Sequence, residues 1–119
     1  MKENIASIIK WHEQTFPDAT LEGQRLKFLA EMEEFDTAHF YPERVMELVD
    51  MFIVACGVAR FDAGEAISEF ACVRDRMLKK MIRQADFERY IDVKMQKNRK
   101  RVFVYGGEGH YQHQAGIED

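Results

Sequence analysis

Apolar side chains recur along this chain mostly at the three- and four-residue spacing of a helix, and only two prolines, Pro17 and Pro42, punctuate it. The pattern predicts five helices with short connections and almost no sheet. A first helix covers residues 4–14, with Ile5, Ile8, Ile9 and His12 on one face, until the stretch 15–20 containing Pro17 stops it. Thr20, followed by Gly23 and Gln24, begins a second helix that runs to about residue 39 and carries Leu21, Phe28, Met32 and Phe35. Pro42 separates it from a third helix over 43–62, for which Gly64 fits the C-terminal cap. The fourth spans 65–84, with Ile67, Phe70, Met77, Leu78 and Met81 inward and Arg74, Arg76, Lys79, Lys80 and Arg83 outward. Asp86 caps a fifth over 87–100. Residues 102–109 then read as a short extended segment and a glycine turn, before a polar tail. The expected fold is all-α and four-helix-bundle-like, one domain over 1–119 with its core at about 4–101 and its tail at 102–119.

The third helix departs from an ordinary amphipathic pattern. From Val45 to Ala59 it is apolar nearly all round, interrupted by Glu47, Asp50 and one glycine. A helix of that composition is buried on most sides. Removing an ionised carboxylate from water costs several kcal/mol unless it is paired or holds a metal, and the nearest basic residues in sequence, Arg44 and Arg60, lie at the ends of the segment. The second helix carries a pair at the same spacing, Glu31 and Glu34, within a run that also contains Glu33 and Asp36. Taken alone, such a run is more often a solvated face. Twelve residues separate Glu34 from Glu47, enough to finish one helix, turn at Pro42 and start an antiparallel neighbour. Helices packed about 8–10 Å apart would let the four carboxylates converge. Oxygen-only ligation suits Mg²⁺ first and Mn²⁺ second, whereas zinc or copper prefers His or Cys. The bland alternative for Glu47 and Asp50 is a salt bridge to a Lys or Arg of another helix. A ferritin-like di-iron centre needs Glu-x-x-His pairs, and the chain has none.

Composition narrows the classes further. A chain of 119 residues with a net charge of −4 is long enough for one core and too acidic for a nucleic-acid coat or a polybasic membrane surface. The longest apolar run falls short of a membrane span and no cleavable signal opens the chain, so a soluble cytoplasmic protein is expected. Cys56 and Cys72 read as small core residues rather than disulfide or zinc partners. No glycine-rich phosphate loop is present.

Glu31-x-x-Glu34, twelve residues, then Glu47-x-x-Asp50 resembles the signature of the MazG-like all-α nucleoside triphosphate pyrophosphatases. Trp11 followed by Thr15, Phe16 and Pro17, the element Lys94-x-x-x-Asn98-x-x-Arg101, and a tail with Gly109, Tyr111 and His113 extend the resemblance to most of the chain. It is closest to the phage and bacterial members proposed to act on purine deoxynucleoside triphosphates. The stretch between Asp50 and Lys94 is longer than in compact members by about one helix, so Lys79, Lys80 and Arg83 compete for the phosphate-binding role. The resemblance implies cleavage of a nucleoside triphosphate between its α and β phosphates. Glu31, Glu34, Glu47 and Asp50 would hold Mg²⁺, with Glu31 or Glu34 alternatively positioning or deprotonating water. Lys94 and Arg101 would clamp outer phosphates, and Asn98 would bond phosphate or sugar. Trp11, Phe16, His12 and Gln24 are candidates for base contacts, although a lone tryptophan there is more often packing. His110 and His113 flank Tyr111 too sparsely for a metal pair, and the tail suits closure over substrate or onto a neighbouring subunit. The resemblance, with the apolar third helix, implies a homodimer or homotetramer. Two other readings stand beside it: a phosphoribosyl-ATP pyrophosphohydrolase, and a non-catalytic helical oligomer that binds nucleotide or protein.

Overall fold

The computed structural model describes residues 1–105 and 111–113. Five helices form: α1 (Ile5–Thr15), α2 (Leu21–Thr37), α3 (Tyr41–Phe61), α4 (Ala63–Lys79) and α5 (Gln84–Asn98). The protein is all-α in its core, as the periodicity predicts. Two three-residue strands, β1 (Phe103–Tyr105) and β2 (Tyr111–His113), pair antiparallel with Phe103 opposite His113. Of the tail residues singled out above, Gly109 and His110 lie outside the described residues.

Helix starts follow local side chains. Asn4 Oδ1 accepts from Ser7 N at 2.8 Å and Ser7 Oγ accepts from Asn4 N at 2.9 Å, a reciprocal cap that satisfies two amides at the start of α1. Thr20 Oγ1 accepts from Gly23 N at 3.0 Å and starts α2. Pro42 sits in the first turn of α3, where its missing N–H costs nothing.

Three local expectations are corrected. Gly64 does not end α3: Asp62 does, its amide bonded to Val58 O, while Asp62 Oδ1 accepts from Glu65 N at 3.0 Å and opens α4. The hinge between the two helices is therefore one residue. Nor does Asp86 cap α5, which starts at Gln84. Asp86 is buried in its first turn, accepting from Tyr41 Oη at 2.6 Å and from Arg83 and Arg89 at 3.0 Å each. Tyr41 first, then Arg83, holds its carboxyl below the ordinary range. Finally, α4 ends at Lys79 rather than 84, and Ile67, Leu78 and Met81 are exposed at 70%, 66% and 82%. Its inner face is Ala66, Phe70, Val73 and Met77.

α3 is the axis of the bundle. Helices α1, α2, α4 and α5 all pack on it, and every residue from Val49 to Val58 except Asp50 is buried. Its apolar circumference is thus covered within one chain, which removes that feature as an argument for an oligomer. Phe52 lies 5.5 Å from both Phe70 of α4, tilted, and Phe87 of α5, edge-to-face. Two ion pairs, Arg25 with Glu65 at 2.6 Å and Arg76 with Asp36 at 2.9 Å, hold α2 and α4 side by side and parallel. At the other edge the amides of Lys2 and Glu3 donate to Asp92, and Glu3 pairs with Arg99, fixing the start of α1 to α5.

Candidate functional site

The turn at Phe40 makes α2 and α3 antiparallel, so positions that rise along one descend along the other. On α2 the residues Gln24, Lys27, Glu31 and Glu34 follow spacings of three, four and three, one stripe of the helix. On α3, Glu47, Asp50 and Gly57 occupy a stripe of the same pitch. Where the stripes meet, the α2–α3 interface carries a polar seam inside an otherwise apolar bundle.

Its acidic end brings together three of the four expected carboxylates. One oxygen each from Glu31, Glu34 and Glu47 lies within 4.8 Å of the others. Glu31 and Glu47 are half-buried, and each has one buried oxygen, Oε2, without a hydrogen-bond partner. Such orphaned acceptors are costly in a low-dielectric interior. Burial, then the charges of Asp50 and Glu34, pushes the Glu31 carboxyl up to about 8. Burial, then the adjacent Glu34 carboxyl and Asp50, pushes Glu47 up to about 7. Near neutral pH the cluster therefore resists carrying its full charge without a cation.

Asp50 lies beside this triad without joining it. Its Oδ1 is 3.4 Å from Lys94 Nζ of α5, an ion pair in which both side chains are mostly shielded. Burial raises the Asp50 carboxyl and the Lys94 charge opposes that rise. The structure divides the acidic residues into a carboxylate cluster at Glu31, Glu34 and Glu47 and an interhelical salt bridge at Asp50. Lys27, one turn before Glu31, adds positive charge that acts on both Glu31 and Asp50. Its four-residue spacing from Glu31 is the signal by which the sequence marks it.

The remaining candidates are placed differently. Asn98 is buried; its Nδ2 donates to Met95 Sδ and its Oδ1 accepts from Arg101 Nη1 at 3.1 Å. Both ends of its amide are engaged inside the chain, so Asn98 positions Arg101. Lys94 is the member of that trio in contact with the acidic residues. Trp11 is 8% exposed and packs edge-on to Phe16 at 5.2 Å and Phe103 at 6.2 Å, in an aromatic cluster that joins α1 to β1.

The other end of the seam is a buried hydrogen-bonded chain. His12 Nε2 lies 3.2 Å from Gln24 Oε1, and Arg60 Nη1 lies 3.1 Å from His12 Nδ1 and 2.7 Å from Phe16 O. A guanidinium only donates, so Nδ1 must be the acceptor and Nε2 must carry the proton given to Gln24. Burial first, then the Arg60 and Lys27 charges, pushes His12 down to about 4 and keeps it neutral. Gly57 makes room for the pair: a Cβ there would sit 2.5 Å from Gln24 Oε1 and 2.9 Å from His12 Nε2. His12 and Gln24, 4% and 3% exposed, are thus bonded to each other and to the frame rather than presented to a base. Gly57 and Arg60 were illegible in one dimension because their role arises only where three helices cross.

An oxygen-only donor set suits a hard divalent ion. Glu31, Glu34 and Glu47 are the residues that could hold such an ion. No family model, curated protein or solved structure matches this chain.

Proposed function

We propose that the protein is a divalent-cation-dependent nucleoside triphosphate pyrophosphohydrolase, hydrolysing the α–β phosphoanhydride bond to release a nucleoside monophosphate and pyrophosphate. The observation that carries this reading is the triad of Glu31, Glu34 and Glu47 with two orphaned buried oxygens, flanked by the Lys94–Asp50 pair. Its motif spacing is that of the MazG-like enzymes it resembles. Glu31, Glu34 and Glu47 would hold Mg²⁺, with Mn²⁺ as a substitute. The ion, when bound, would neutralise phosphate charge and lower the pKa of a coordinated water.

The chain's own groups divide the rest of the work. Lys94 supplies a compact positive charge at the α5 side of the acids, suited to phosphate oxygens. Asp50 holds that ammonium at the seam in the resting state. Lys27 offsets negative charge from the α2 side. Arg101, oriented by Asn98, reaches the outer phosphates. As an alternative to holding the ion, Glu31 or Glu34 would position the attacking water or accept its proton.

The test is pyrophosphate release from the eight common ribo- and deoxyribonucleoside triphosphates, with Mg²⁺ and with chelator. The expected result is metal-dependent release that falls at least a hundredfold in Glu47→Gln. Release of orthophosphate instead, or equal release by the variant, overturns the reading. Inactivity on all eight with turnover of phosphoribosyl-ATP moves the substrate and keeps the chemistry.

A further inference from the structure

Trp11, His12, Phe16 and Gln24 are buried in the frame, so none of them offers the acidic site a place for a nucleobase. A cavity of about 300 Å³ between α3 and α5 offers one, lined by Pro42, Glu43, Met46, Tyr90, Val93 and Lys97. That volume is at the lower end of small-molecule sites, suited to part of a nucleotide rather than the whole. Tyr41 Oη bonds Asp86 at 2.6 Å and Asp50 pairs with Lys94 at 3.4 Å, so the two helices run parallel and in step. On α3, Glu43, Glu47 and Asp50 follow spacings of four and three, and on α5 Tyr90, Lys94 and Lys97 repeat that pattern. The cavity therefore continues the stripes that carry the acids and their lysine by one helical turn, about 5.4 Å, toward the helix starts. Lys97, one turn beyond Lys94, lines it by leaning back along the helix, as helical side chains do. Its polar groups have spare capacity. Among the described residues Lys97 makes no ion pair, and the Glu43 carboxylate takes one hydrogen bond, from His39 N to Oε1 at 3.0 Å.

We propose that this cavity seats the base of the nucleoside triphosphate and selects guanine, with Glu43 and Lys97 as the specificity-determining residues. The assignment rests on the pyrophosphohydrolase reading of the acidic site and adds to it the identity of the base. A single sugar bridges the one turn between an α-phosphate at Glu47 and Lys94 and a base at Tyr90. The outer phosphates then run the other way along α5, toward Arg101. Guanine presents one acceptor, O6, beside two N–H donors, N1 and the 2-amino group. The Glu43 carboxylate accepts from both donors, and the Lys97 ammonium donates to O6. Tyr90 supplies a ring for stacking, and Pro42, Met46 and Val93 form the apolar walls. Adenine sets the lone pair of its N1 against the carboxylate, acceptor facing acceptor, and is rejected.

The test has two arms, each run on the full chain and on Glu43→Gln and Lys97→Gln, with far-UV circular dichroism checking the fold. The first compares kcat/KM for dGTP, dATP and dITP, the last lacking the 2-amino group. The native chain is expected to favour dGTP over dATP about tenfold or more, with dITP between them. Each substitution should raise KM for dGTP and shrink that ratio, and Glu43→Gln should also remove the difference between dGTP and dITP. Pyrophosphate release without a preference for dGTP, or a preference that neither substitution alters, overturns the base site and leaves the activity standing. The second arm titrates dGMP and dAMP by calorimetry in the presence of chelator, which needs no turnover. Preferential binding of dGMP that weakens in both variants upholds the cavity even where no triphosphate is cleaved and the activity reading falls. Equal binding of the two monophosphates, or binding indifferent to the substitutions, overturns it.

Discussion

At the scale of single residues, the seam between α2 and α3 sets opposed pH responses at its two ends. His12, lowered to about 4 by burial and the Arg60 charge, is neutral when folded, while its unfolded counterpart titrates near 6.5. Falling pH therefore protonates the unfolded chain first, and stability is lost from about pH 6.5 down to about 4, by about 3 kcal/mol in all. His12→Gln should flatten that limb in urea titrations, and an unchanged limb would show that His12 does not set it. Glu31 and Glu47 act in reverse. Their raised carboxyls, about 8 and 7, contribute stability that is present below about pH 4.5 and lost as pH rises through 7 and 8. Glu31→Gln should remove much of that alkaline loss in metal-free buffer. Gly57 tests the packing of the other end. Alanine normally favours a helix over glycine by about 1 kcal/mol, yet here its Cβ would drive into Gln24 and His12, both locked by hydrogen bonds. Gly57→Ala is expected to destabilise by about 1–2 kcal/mol in urea melts, and a gain in stability would contradict the geometry.

Among the elements, the long apolar α3 was legible because a helix apolar on every side has only one place to go. α4 was not. It carries apolar residues on two faces, and sequence could not decide between Ile67, Leu78 and Met81 on one and Ala66, Phe70 and Val73 on the other. The choice is made by where α3 lies. The end of α4 has a definable signature: Ile82 N bonds Met77 O at 2.9 Å and Met81 N bonds Leu78 O at 3.2 Å, with Met81 at φ 54°. That left-handed position favours glycine, and the chain spends a methionine there. Met81→Gly should stabilise the protein by about 1 kcal/mol, measured as a shift in the urea midpoint; destabilisation would show that the Met81 side chain contributes more than its strain removes. The acidic motif was legible for a different reason. Carboxylates three residues apart within apolar helix are chemically conspicuous wherever the helix packs. Their division into a triad and an Asp50–Lys94 pair was not, since it depends on which way α5 faces.

For the molecule as a whole, four helices wrap the buried α3, and among the described residues the unpartnered buried side-chain oxygens, Glu31 Oε2 and Glu47 Oε2, gather at one place where α2 meets it. No described helix is long and apolar enough to cross a membrane. A chain that tolerates three crowded carboxyls there should be more stable when a cation relieves them. Mg²⁺ at a hundred times its dissociation constant is expected to add about 2.7 kcal/mol at pH 8, read as a rise in melting temperature. The cation should stabilise less at pH 6, where protons compete for the same oxygens.

The divalent-cation site proposed at Glu31, Glu34 and Glu47 can be tested without a substrate. Its most direct test is Mn²⁺ binding, followed by electron paramagnetic resonance of the free ion, to the native chain and to Glu31→Gln and Glu47→Gln, each checked for native helical content. Saturable binding to the native chain that weakens tenfold or more in both variants is the predicted result. Absence of saturable binding, or equal binding by native chain and variants, would contradict it.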